Sequence, residues 1–171
     1  MGNAQKPTAS VTAAPSGALR ATFIFVILTS ILLIPLTTCD LSQGAQAGWH
    51  FAQGDDYWKA GEDKQAEQEF KEALAASIAV KLWGEEANSL VRLAQIYVKQ
   101  TRDSEAETYF TEALDIFERN QDSSDMKSND ENVRDFWVIA LRGKALLLRK
   151  HNRTAEATEL EARAKTLESK K

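Results

Sequence analysis

The side chains here whose types could do chemistry are two histidines, one cysteine and a pair of arginines. His50 and His151 stand far apart, and neither has a His or Glu at the helical spacing of an HExxH site. His151 falls in the polar turn Lys150-His151-Asn152-Arg153, where a solvated side chain is the default. Cys39 is the single cysteine, so there is neither an internal disulfide nor a multi-cysteine metal site. There is no Gly-rich phosphate loop and no Gly-x-Ser-x-Gly. Asn152-Arg153-Thr154 fits a glycosylation sequon, which matters only in a eukaryotic secretory route. Catalysis needs groups brought together with shifted pKa values, and no such set is present, so the sequence reads as no enzyme and implies no cofactor or metal. Arg142 and Arg149 are seven apart, on one helix face, and could grip a carboxylate through paired hydrogen bonds. The rival reading, that they pair with the chain's own acids, is the favoured one. The Glu and Lys runs elsewhere are solvated helix faces that can form i,i+4 pairs.

The elements that must position these groups are helices. In Leu90 to Phe117 the residues Leu90, Leu93, Ala94 and Tyr97 recur at helical spacing, then a polar run follows from Lys99 to Ser104. After it Ala106, Phe110, Ala113 and Phe117 recur again, giving two amphipathic helices joined by a short turn. Ala94 and Ala106 sit where two helix axes must come close, with Leu93, Tyr97 and Phe110 filling the space beside them. Such a hairpin cannot bury its apolar face alone and should be one unit of a stack. Its pattern reappears upstream as Gly54, Tyr57, Ala66, Phe70 and Ala73. It returns more loosely downstream as Ala145, Leu148, Ala157 and Ala164, with Glu161 where an aromatic is expected.

These three copies resemble tetratricopeptide repeat (TPR) proteins, over roughly Gly48 to Lys165. The resemblance implies an all-α fold of three antiparallel helix hairpins in a right-handed solenoid, preceded here by an N-terminal hydrophobic helix. The intervals from Ala66 to Ala106 and from Ala106 to Ala157 exceed the family period of about 34 residues, so residues are inserted between copies. The resemblance also implies a concave groove lined by the first helix of each pair. Its positions here would be Phe51, Asp55 and Trp58; Asn88, Val91, Gln95 and Val98; then Ile139, Arg142, Leu146 and Arg149. Such a groove accepts an extended peptide or a partner helix. Trp58, Arg142 and Arg149 are the anchors singled out, with Trp58 equally able to pack against the membrane-proximal segment. The family's Lys and Asn carboxylate clamp is not matched, so binding of acidic C-terminal tails of cytosolic chaperones is not predicted.

Within the domain, residues 48–171, the spacing predicts helices over Gly48–Ala60, Gln65–Ser77, Glu86–Gln100, Asp103–Arg119, Val133–Arg149 and Thr154–Ser169. Ile78 to Trp83 reads as an extended helix end, and Asp103 as a polar N-cap. Asn120 to Asn132 holds Met126 as its one apolar residue and reads as an acidic excursion between repeats, a tolerated insertion in preference to a binding or regulatory loop. Each end of three repeats leaves an unpaired face, so self-association through Trp83 or the last helix is open.

Ahead of the repeats, residues 1–20 read as a disordered tail and 40–47 as a linker. Ala21 to Cys39 is charge-free, and as a helix rising ~1.5 Å per residue it just spans a hydrocarbon core of about 30 Å. Lys6 and Arg20 before it and Asp40 after it orient the repeats outward, to the extracytoplasmic (periplasmic or extracellular) side. An uncleaved anchor is the first reading. Leu36-Thr37-Thr38-Cys39 is also similar to a bacterial lipobox, which implies lipidation at Cys39, and Ala45-Gln46-Ala47 is a small-x-small cleavage site. Residues 1–39 hold only two of the 21 basic side chains and none of the 25 acids, so the rest is more acidic than the net −4 of the whole. An acidic domain is a poor holder of phosphate, and nucleic acid is excluded as a partner. The function expected is a non-catalytic protein-interaction module at a membrane, a scaffold or assembly factor for an envelope complex. Its rivals are a chaperone-like holder of exported chains and a regulatory subunit of a membrane enzyme.

Overall fold

The computed structural model describes residues 43–122 and 131–169. The 21–39 segment, Cys39 and most of the 120–132 insertion lie outside the described residues. Six helices run through the described residues, with no strand among them. They are α1 (43–60), α2 (Asp63–Val80), α3 (Trp83–Lys99), α4 (Asp103–Asn120), α5 (Glu131–Lys150) and α6 (Thr154–Glu168). Consecutive helices pack as hairpins, and α5 also reaches back onto α3 and α4. Residues 43–47 are already helical, and Ala47 is fully buried, so α1 begins inside the stretch expected to be linker.

The small residues mark where the helices approach, as their spacing requires. Ala66, Ala73, Ala94, Ala106, Ala113, Ala157 and Ala164 are all 0% exposed. Around them one core runs from Phe70 through Leu93, Ile96 and Phe110 to Leu141 and Leu147. A smaller cluster of Ala145, Leu148 and Ala157 closes the last hairpin. Gly54 lies against Phe70, whose ring carbons would stand 2.8 Å from an added Cβ.

Four turns share one backbone solution. Gly61, Lys81, Thr101 and Asn152 each have φ between 59° and 79°, and the residue after each is the N-cap of the next helix. In every case that following amide donates to a carbonyl five residues back: Glu62 to Tyr57, Leu82 to Ser77, Arg102 to Tyr97, Arg153 to Leu148, at 2.8–2.9 Å. This is the six-to-one bond of a left-handed helix cap, which satisfies the terminal carbonyls of the outgoing helix. Two expectations change accordingly. Asp103 is not the cap of α4: Arg102 holds that position without a side-chain bond, and Asp103 lies in the first turn. Ile78 does continue α2 as far as Val80, but the chain then turns at Lys81, and α3 starts at Trp83 rather than Glu86.

Candidate functional site

The positions expected to line a groove fall into three layers, because each first helix repeats the same places around its small residue. Phe51, Val91 and Arg142 form one set; Asp55, Gln95 and Leu146 the next; Trp58, Val98 and Arg149 the third. In the first two hairpins neighbouring helices leave most of them half-buried. Phe51 sits against Phe70, and its ring meets that of Phe136 on α5 edge-on at 5.7 Å. Arg92 lies 4.9 Å above the same Phe136 ring and 2.8 Å from Asp55 Oδ1, an ion pair out of line for a hydrogen bond. Its other head nitrogen, Nη1, donates to Gln95 at 3.1 Å. Lys99 stands 4.2 Å over the Trp58 ring and pairs with Asp63 at 2.5 Å. Val91 is fully buried, and Val98 and Ile139 pack against the core. Phe51, Asp55 and Trp58 are thus contacts between repeats, and Val91 belongs to the core. Asn88 is half-buried with an unpartnered Oδ1, beside a cleft of about 370 Å³ that also takes in Trp83.

The third hairpin, α5 and α6, has no following hairpin among the described residues. Leu146 is 61% exposed, more than Trp49 or Ile78. Arg142 and Arg149 flank it along α5, and with Glu161 and Lys165 of α6 they enclose a hollow of about 300 Å³. Their carboxylates come from the chain itself. Arg149 donates from Nε and Nη2 to both Glu161 oxygens at 2.8 Å, and Arg142 donates to Glu168 at 2.9 Å. The bonds from Arg149 hold the Glu161 carboxyl below the ordinary glutamate range, and the same contact raises Arg149. Both pairs are exposed, where water competes for every bond, so they stabilise little and can exchange for a partner's carboxylate. Glu161, where the pattern wants an aromatic, therefore caps the stack with charge.

The histidines belong to the scaffold. His50 Nδ1 meets Glu69 at 2.7 Å, joining α1 to α2, and exposed His151 lies 3.8 Å from Asp103, which also pairs with Lys150. Among the described residues no group of His, Cys, Asp or Glu is arranged to hold a metal, and no helix is long and apolar enough to cross a membrane. Sequence reasoning missed Arg92 and Phe136, the pair that links the first helices across the stack. Their partners lie in other repeats, and no local spacing signals them.

No curated protein matches the chain. A family model described as tetratricopeptide repeat matches residues 46–119. That stretch runs from α1 through α4, the two hairpins with the full small–Tyr–Ala–Phe–Ala pattern, and proteins built of such repeats serve as protein-interaction modules. With its helices nested in pairs about buried alanines, that matched stretch is built of tetratricopeptide repeats.

Proposed function

We propose that this chain is a non-catalytic docking module held at a membrane by residues 21–39, its repeats on the extracytoplasmic side. There it acts as a scaffold or assembly factor for an envelope complex. The observation that carries the reading is Leu146, exposed between two arginines on the last described hairpin. An apolar anchor ringed by exchangeable charge suits a partner presenting an apolar side chain beside a carboxylate. Cys39 lipidation would serve the same tether, which raises a partner's effective concentration at the membrane. The charge-free run and the basic residues before it support that tether.

The test is affinity capture of the full chain from detergent-solubilised membranes, wild type beside Leu146→Asp. One stoichiometric partner, lost in the variant, is the expected result. Many substoichiometric clients, unchanged by the variant, would instead mark a chaperone-like holder. Intact mass of the extracted chain reads the tether directly, since the uncleaved, lipidated and cleaved forms differ in mass.

A further inference from the structure

A second surface lies between α2 and α4, the outer helices of the first two hairpins. The extension of α2 through Val80 carries Ile78 out beyond the hairpin, where it is 54% exposed. Beside it Leu74, Leu90 and Ile116 form an apolar floor, in a groove of about 260 Å³ whose rim is Glu86, Glu112, Asp115 and Arg119. At other helix contacts an acid is neutralised across the gap, Asp55 by Arg92, Asp63 by Lys99, Glu107 by Arg153 and Glu118 by Arg163. Glu86, Glu112 and Asp115 have no ion-pair partner among the described residues. The one cation at the rim, Arg119, spends its Nε–H on the backbone carbonyl of Asp115 at 3.1 Å. Three like charges around an exposed isoleucine repel one another, and a cationic ligand with an apolar face relieves both features at once.

We infer that this groove docks a basic amphipathic helix of a partner protein, its apolar stripe on Ile78 and the floor, its Lys or Arg on the three carboxylates. A helix presents residues i, i+3, i+4 and i+7 on one side, the spacing such a strip of apolar contacts accepts. The inference shares the reading of the chain as an interaction module but is independent of the Leu146 face.

The experiment measures binding of two labelled helical peptides to the full chain by fluorescence anisotropy. They are a Leu/Lys amphipathic peptide and a Leu/Glu peptide with the same apolar stripe. The Leu/Lys peptide should bind one to one, more weakly as salt rises, and the Leu/Glu peptide should not bind. Ile78→Asp should abolish binding, and Glu112→Lys with Asp115→Lys should weaken it about tenfold or more. The same charge change elsewhere, Asp56→Lys with Glu159→Lys, should weaken it less than about twofold. Leu146→Asp should leave it unchanged, so the two faces fail or stand separately. All of these positions are exposed, and unchanged thermal melts would show the variants folded. Four results would each overturn the inference: equal binding of both peptides, an Ile78→Asp variant that still binds, a remote charge change as damaging as the rim change, or sensitivity to Leu146→Asp. So would a dimer that Ile78→Asp dissociates in sedimentation, since a second copy would then be the occupant.

Discussion

Gly143 has no side chain because the Phe110 ring stands in its place: a Cβ there would fall 2.3 Å from Cζ. The contact joins α5 to α4 across two hairpins, so the third repeat is registered on the second by one ring over one bare backbone. Gly143→Ala should therefore destabilise the chain by about 1–3 kcal/mol in a thermal melt, the cost of forcing an extra carbon into a packed core. Gly48 has open space around its missing Cβ, so Gly48→Ala should stabilise by about 0.5–1 kcal/mol, the helix preference of Ala over Gly. If the two substitutions moved stability the same way, Phe110 would not be the reason for Gly143. The sequence pattern shows the small residues within a hairpin, Ala94 or Ala106, because their spacing is local. It does not show Gly143, which answers to a ring in the preceding repeat at an offset that no helical period predicts.

The elements owe their angles to the four alike turns. Two of these were readable, since Gly61 and Asn152 are residues that tolerate positive φ. Lys81 and Thr101 carry no such signal, and so the α2–α3 boundary and the α4 cap were misplaced. Thr101 is β-branched and pays for φ 59° with steric strain. Thr101→Gly should raise stability by about 0.5–1 kcal/mol in urea unfolding, with the helices unchanged in circular dichroism. A loss of stability would mean that the turn depends on the Thr101 side chain. The covering of the groove positions was equally hidden. Whether Phe51 or Val91 faces solvent depends on how far each hairpin rotates against the next, which the spacing of one helix leaves open.

At the scale of the whole molecule, Glu67 gathers partners from α2, α3 and the turn into α4. It accepts from Lys71 at 2.7 Å on its own helix and from Gln100 at 3.1 Å and Tyr97 at 3.3 Å on α3 and its end, with Arg102 at 3.8 Å. Burial pushes its carboxyl up, but the bonds from Lys71, Gln100 and Tyr97 outweigh that and leave it below its ordinary value of 4.5. A lowered value means the folded state holds the ion more tightly than the unfolded chain does. This part of the stability is therefore complete above about 4.5 and fades as pH falls through the lower, folded value. Glu67→Gln should flatten that acid limb in melts taken across the range, and an unchanged slope would place acid sensitivity elsewhere. The turns set one more property of the whole. A left-handed cap bonded five residues back leaves no slack within α1 to α4 or within α5 and α6, so the face on α2 and α4 and the face on α5 and α6 each meet a partner with little change of form. Recognition then works as a die does, by matching a form already cut. Little ordering entropy is lost on contact, and the association rate follows electrostatic steering rather than any rearrangement of the chain.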